Sequence, residues 1–441
     1  MENLPIRIIG KYTTAEMFAN TIEEGVYNQI YDIINSPAFQ GKRVLLMPDV
    51  HVGASGPCGL VAEIGDYICP EHIGVDIGCS VTMLFLNKKI SREKLALLEH
   101  RIKKAIPMGF NLNETSQIED KEFYKFLSRE FKSAKSIWPE MLEKLPVNVD
   151  ERWVSKRLKE LSVDEGVFYK SLGTLGGGNH FIEYGETPDK GAITFHCGSR
   201  NFGVKVCKYW MKETSVGMSK KEIRDAINKI KNDYMKSHKN MKNFDAYLKK
   251  NLTLLKNNHL NGYLEGETMK GYICDMVFAQ AYAKYNHETI IKAISKVLLT
   301  IDNTKIVDKV TCTHNYIDMR DRLLRKSSIS AHKGEKIIVP LNMKDGTALC
   351  VGKGNPVWME SCSHGAGRKM SRSEAKRNIS LEEFKSSMEG IVSTSVNTST
   401  IDESPMAYKN SDEILGLIAD TCEIINIVKP LVSWKASDDV E

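Results

Sequence analysis

Six runs of β-branched and large apolar residues punctuate this chain, and several stop on a histidine, cysteine or aspartate instead of an ordinary turn. They cover residues 43–47, 81–86, 192–195, 305–313, 336–339 and 348–351. A strand that ends this way carries its reactive side chain to the rim of a sheet, where sites are usually built. Helical patterns lie between the runs, at 91–106, 219–235, 271–297 and 380–390. In 219–235, Ser219 and Glu222 have capping-box spacing and Ile223, Ala226, Ile227, Ile230 and Tyr234 share one face. The stretch 380–390 opens on a Ser380/Glu383 box and ends in glycine. Strands and helices so mixed predict an α+β chain, a large mixed α/β body. No repeat, low-complexity segment or linker divides it, so residues 1–441 are expected to form a single domain.

Composition narrows the class. With 441 residues, 42% hydrophobic and 27% charged, and a mean hydropathy of -0.30, the chain can bury a sizeable core and is neither disordered nor membrane-embedded in character. No apolar run reaches transmembrane length, and residues 1–10 lack the layout of a signal peptide, so the expected setting is cytoplasmic with no membrane partner. Ten cysteines without a single CxxC pair fit reduced thiols and metal ligands better than a disulfide frame. The net charge of +5 permits a polyanionic partner without requiring one. Residues 204–256 are lysine-rich and glycine-poor, which suits a solvated helical insertion or a polyanion-binding face.

Five of the eleven histidines sit in short Gly/Asn/Ser-rich contexts: His51, His180, His196, His314 and His364. Asp76 and Cys79 lie three apart around Gly78, both able to turn inward. Each such residue taken singly is more often core than ligand. Gathered together, Asp76, Cys79, His180, His196 and His314 would offer five oxygen, sulfur and nitrogen donors, more than one tetrahedral ion needs. Two metals sharing the thiolate would use them all. Ligand softness favours zinc or another transition metal over magnesium.

The stretch Cys362-Ser363-His364-Gly365-Ala366-Gly367-Arg368 places one imidazole in a nearly side-chain-free loop. Glycines let backbone N–H groups approach a phosphate, Arg368 can grip its oxygens, and Ser371/Glu374 capping spacing predicts a helix starting just beyond. The alternative is a tight turn whose histidine satisfies backbone carbonyls.

The segments MPDVHVG, GVDIGC, LGGGNHFIE, HCGSRNFG, THN, CSHGAGRKMSRSEAK and ESPMAYK occur in this order, and together they resemble the RtcB family of RNA ligases. The likeness runs from about Ile6 to Lys435. It implies an RtcB-type fold with a central dinuclear metal site, GTP as cosubstrate and two Mn²⁺ ions as cofactors. The implied reaction joins an RNA 3′-phosphate, or a 2′,3′-cyclic phosphate opened first, to a 5′-hydroxyl through a covalent histidine–GMP intermediate, in RNA repair or tRNA splicing. By motif, Asp76, Cys79 and His180 would hold one ion, and Cys79, His196 and His314 the other. His364 would be the nucleophile. Asn179, His180, Glu183, His314, Asn315, Gly365, Ala366, Gly367, Arg368, Tyr408 and Lys435 would meet GTP or GMP, with Glu183 at the guanine edge, and Arg200 would lie near the RNA-end phosphate. RNA, GTP and an activating protein are the implied partners, for a monomer or dimer. The family usually reads Arg-Lys-Gly-Ala and then Pro-Gly-Ser-Met-Gly where this chain has His332-Lys333-Gly334-Glu335 and Pro340-Leu341-Asn342-Met343-Lys344-Asp345-Gly346. That departure raises a second reading, a divergent paralogue that caps RNA or DNA 3′-phosphates with GMP and seals poorly. A third is a dinuclear metal phosphodiesterase.

Overall fold

Polar alternation is nearly absent from the central strands. Val44–His51 is buried at every position but its last and Gly191–Cys197 throughout, the pattern of strands covered on both faces. The computed structural model describes residues 4–116, 120–215, 220–237, 241, 243–258 and 262–436. Two large sheets organise them. One orders Ile6–Ile9, Thr14–Met17, Val44–His51, Cys58–Glu63, Leu323–Lys326 and Tyr316–Asp318, with a parallel pairing between its second and third strands. The other orders Ile306–Thr313, Ser80–Leu86, Gly191–Cys197, Phe181–Glu186, Cys422–Lys435, Gly346–Gly352 and Lys336–Asn342, antiparallel throughout. A short pair, Ser328–Ser330 with Ser361–Ser363, carries the His364 loop.

The helix Gly266–Leu299 links the two cores. Its earlier turns, including Met276, Phe278 and Tyr282, pack with Leu46 and Leu60 of the first sheet. Ile290, Ile294 and Leu298 pack with Leu84, Phe195, Ile182 and Trp434 of the second. The mixed α+β body predicted above is what forms.

Each predicted strand run falls within or overlaps an observed strand. The 271–297 pattern extends to Gly266–Leu299, and 91–106 divides into a 3₁₀ turn at Arg92–Lys94 and a helix at Leu95–Ala105. The Ser371/Glu374 and Ser380/Glu383 capping boxes are both made. Ser219 and the side chains of Glu222, Ile223 and Ala226 lie outside the described residues. The helix there spans Lys220–Ser237, with Ile230 and Tyr234 buried. Among the described residues of 204–256, three helical segments appear, Arg200–Ser215, Lys220–Ser237 and Phe244–Asn258. In the second sheet, two central strands escaped the sequence reading. Phe181–Glu186 begins directly on the glycine loop that masks it, and Cys422–Lys435 contains Pro430, which demotes a strand unless a bulge receives it. The register shifts between Pro430 and Val432 supply that bulge.

Candidate metal centre and nucleotide cavity

Antiparallel pairing alone brings the predicted ligands to one end of the second sheet. Val81 faces His196, which faces Phe181, while Ser80 faces both Cys197 and Thr313. Cys79, His180 and His314 are the residues that adjoin Ser80, Phe181 and Thr313, so three strand ends and one interior residue meet around one point. The His314 N–H donates to the Cys79 carbonyl at 2.8 Å, locking the outer pair.

The donor atoms converge closely. Cys79 Sγ lies 3.0 Å from His196 Nε2 and 3.4 Å from His180 Nε2. His196 Nε2 is 3.1 Å from His314 Nε2, and His180 Nε2 is 3.0 Å from Asp76 Oδ2. Two groups emerge, Asp76/Cys79/His180 and Cys79/His196/His314, with Cys79 common to both and the donor atoms of each within 4.8 Å of one another. The ring of His196 is set for ligation: its Nδ1 faces the Asn179 carbonyl at 3.1 Å, so Nδ1 carries the hydrogen and Nε2 presents its lone pair. Asp76 is steadied by the Ser199 N–H at 2.9 Å and hydroxyl at 3.2 Å. A Cβ on Gly198 would stand 2.3 Å from Asp76 Oδ1, so only glycine lets the carboxylate in.

Electrostatics within the cluster also suit a cation. Burial would raise the Asp76 carboxyl, but its hydrogen bond with His180 prevails and holds it at about 2, ionised. Burial, reinforced by neighbouring imidazoles, keeps His196 and His314 far below the usual histidine range and therefore neutral. Burial next to Asp76 pushes the Cys79 thiol up, a direction that a bound cation would reverse. A carboxylate, a thiol and neutral imidazoles facing one another at contact distance form a donor set that fits soft or borderline metal ions.

His364 follows the Ser361–Ser363 strand and its ring centroid lies 4.8 Å from that of His314. Its Nδ1 is 2.7 Å from Asp49 Oδ2, and its backbone N–H donates to the same oxygen at 3.1 Å. Asp49 is fully buried. The ammonium of Lys409 donates to the carbonyls of Pro48 at 2.9 Å and Val50 at 2.7 Å, fixing the segment that presents Asp49. Burial lowers that lysine to about 8. Gly367 adopts φ +72°, and a Cβ there would stand 2.2 Å from the Asp49 carbonyl.

A cavity of about 370 Å³ opens beside His364. Asn179, Glu183, His196, Gly365, Ala366, Gly367, Arg368, Tyr408 and Lys435 all line it, as do Pro340, Leu341, Asn342 and Met343 of the divergent segment. Behind one wall, Glu403 receives the lining side chains Lys435 Nζ at 2.7 Å, Tyr408 Oη at 2.6 Å and Arg372, with Arg368 Nη1 at 3.5 Å. Glu403 is thereby held well below the usual carboxylate range despite burial, chiefly by Lys435. Glu183 behaves oppositely: burial lifts it to about 7, while the Thr347 hydroxyl donating at 2.8 Å and the Lys435 cation only moderate the rise.

Some expected contacts are placed differently. The guanidinium of Arg368 is already engaged, donating to the Asp402 carbonyl at 2.6 Å and the Met370 carbonyl at 3.0 Å, so it stands in the cavity wall without a free bidentate fork. Asn315 does not line the cavity. In the left-handed region at φ +62°, it receives the Ser327 N–H at 2.9 Å and donates to the Asp76 carbonyl at 3.3 Å, bracing the Asp76 loop. His180 and His314 belong to the donor cluster that could hold metal and also lie off the cavity lining. Arg200, at φ +56°, is likewise off it and donates to the Gly109 carbonyl at 2.6 Å and Thr174 Oγ1 at 3.0 Å. Asp49, Glu403 and Lys409 were not singled out from sequence, although all three lie inside quoted motifs, MPDVHVG and ESPMAYK.

Comparison with known proteins agrees with this geometry. Residues 29–436 match the family model described as tRNA-splicing ligase RtcB. The RNA-splicing ligase RtcB of Escherichia coli K12 is 28% identical over 461 residues, covering 98% of each chain. The tRNA-splicing ligases RtcB of Nanoarchaeum equitans and Pyrobaculum aerophilum are each 25% identical, over 94% of this chain and 91% and 90% of theirs. A likeness that spans both sheets and every strand end supplying the cluster leaves one assignment, and the chain belongs to the RtcB family.

Proposed function

We propose that this chain is a GTP-dependent RNA ligase that joins 3′-phosphate or 2′,3′-cyclic phosphate ends to 5′-hydroxyl ends, acting as one catalytic body over its whole length. The observation that carries the reading is the pairing of His364 with buried Asp49 at the cavity. A carboxylate accepts, so Nδ1 holds the hydrogen and Nε2 keeps the lone pair a nucleophile needs. In the proposed sequence Nε2 attacks the α-phosphorus of GTP and pyrophosphate leaves. An RNA 3′-phosphate oxygen then takes the guanylyl group from His364, and the 5′-hydroxyl attacks that activated phosphate and expels GMP.

Asp76, Cys79 and His180 would hold one Mn²⁺, and Cys79, His196 and His314 the other. When bound, two divalent ions offset phosphate charge, typically by several kcal/mol at a transition state. Within the protein, Asp49 orients the nucleophile, the Gly365–Gly367 backbone permits close approach of phosphates, and Glu183 offers a carboxyl to the base edge beside Ser433 and Lys435. Ten free cysteines suit a reducing compartment such as the cytoplasm. Among the described residues no helix is long and apolar enough to cross a membrane.

The Pro340–Met343 segment favours keeping the capping-only reading in view, because it lines the cavity wall where guanine would be chosen. RNA strands with 3′-phosphate and 5′-hydroxyl ends, incubated with GTP and Mn²⁺, separate the two. Sealed product supports the ligase; accumulation of GMP-capped 3′ ends without sealing supports the alternative.

A further inference from the structure

Nine of the ten cysteines are buried, and Cys58 is the half-exposed one. It opens the Cys58–Glu63 strand directly opposite His51, the last residue of Val44–His51. Facing residues of an antiparallel pair hold their Cβ atoms about 5 Å apart, so this thiol and imidazole are within mutual reach. Both line the cavity that holds His364, and the proposed ligation uses neither.

Three features prepare the pair for chemistry. His51 Nδ1 lies 2.9 Å from the Asp49 carbonyl, which can only accept, so Nδ1 carries a hydrogen and Nε2 is the nitrogen left to take the thiol proton. Beneath the turn before Cys58, the buried Lys326 ammonium is pinned by the carbonyls of Ser55 at 2.8 Å, Gly56 at 3.0 Å and Glu71 at 3.2 Å. On another side the chain closes in, since a Cβ on Gly53 would stand 3.2 Å from Cys58 Sγ, while Cys58 lines the cavity. Burial alone would raise the thiol, yet the facing imidazole, then Lys326 and the Ser327 side chain, bring it down to about 6. Burial also opposes the His51 cation, and the facing sulfur raises it nonetheless.

We infer that Cys58 is a thiolate poised for covalent modification by hydroperoxides that enter the cavity, with His51 as its proton partner. The thiolate sulfur attacks the hydroxyl oxygen of the peroxide, the S–O bond forms and the O–O bond breaks. The departing oxygen takes the proton from His51 Nε2 and leaves as water when the peroxide is H₂O₂. Sulfur is oxidised to a sulfenic acid and the peroxide is reduced. The site stands whether or not the cavity takes GTP.

The test uses the full-length chain with hydrogen peroxide and dimedone, read by peptide mass spectrometry, alongside the pH dependence of iodoacetamide alkylation at Cys58. The expected results are a dimedone adduct on Cys58 ahead of the other nine cysteines and an alkylation midpoint near 6. In His51→Gln the midpoint should move above about 8, with alkylation at pH 6 slower by about tenfold once the lower intrinsic nucleophilicity of an acidic thiolate is allowed for. The wild-type profile decides the matter even if that variant folds poorly. Adducts concentrated on Cys79 or elsewhere, a wild-type midpoint above about 8, or a folded His51→Gln chain with unchanged kinetics would overturn the inference.

Discussion

His364 donates twice to one oxygen of Asp49, from Nδ1 at 2.7 Å and from its backbone N–H at 3.1 Å. One buried carboxylate therefore fixes both the tautomer and the position of the ring. Its second oxygen, Oδ1, has no hydrogen-bond partner among the described residues, so the carboxylate's role in the fold is this histidine.

Replacing the carboxylate by an amide should preserve shape and lose chemistry. Asp49→Asn can turn an NH₂ toward Nδ1 and favour the tautomer with hydrogen on Nε2, the nitrogen that must attack. Single-turnover transfer from labelled GTP to the protein should fall by about 10²- to 10⁴-fold, with the thermal transition nearly unchanged. A rate within about threefold of wild type would refute the orienting role.

Cys79 belongs to both candidate metal groups, so its loss should empty both. Metal analysis after gel filtration in limiting Mn²⁺ should give about two ions per wild-type chain and close to none for Cys79→Ala. One ion tightly retained would contradict the shared thiolate.

Glu183 carries a pH signature. Its folded pKa, raised by burial to about 7, exceeds the unfolded value, so the folded state binds the extra proton. The associated stability is fully present below about pH 4.5 and is lost as pH rises through 7. Glu183→Gln should remove this loss, gaining on the order of 1 to 3 kcal/mol relative to wild type at pH 8 compared with pH 4.5 by urea denaturation. Equal effects at the two pH values would sink the assignment.

Lys435 and Glu403 form a nearly fully buried ion pair, 2.7 Å apart. Glu403→Gln leaves the ammonium uncompensated and should destabilise the chain by about 3 kcal/mol, whereas the Glu403→Gln/Lys435→Met double variant should recover part of that loss. A double-variant cycle with no coupling energy would show that the pair acts independently.

Much of the candidate metal centre was legible in sequence because strand ends carry their own markers. Cys79, His196 and His314 stand in or near β-rich runs, antiparallel register brings them together with His180, and Asp76 joins them on a loop held by Ser199 and Asn315. Asp49 was harder to see: an aspartate inside an apolar strand looks like any strand-end polar residue until the His364 loop is folded over it. Glu403 and Lys409 were hidden for the same reason, since their charged or backbone partners Lys435, Arg372, Pro48 and Val50 lie tens to hundreds of positions away and carry no local periodicity. Arg368 shows the converse limit. Its place in a glycine loop suggested a phosphate clamp, but the Asp402 and Met370 carbonyls, which sequence spacing does not reveal, occupy its donors. The 422–435 strand was obscured by Pro430, whose bulge is a property of the sheet and not of the segment.

The central claim is that His364 becomes covalently guanylylated, and its most direct test is incubation with α-labelled GTP and Mn²⁺ followed by denaturing electrophoresis and acid treatment. The account predicts protein-bound, acid-labile label in wild type that is absent from His364→Ala. No bound label with any divalent metal, or label that persists in His364→Ala, would contradict it.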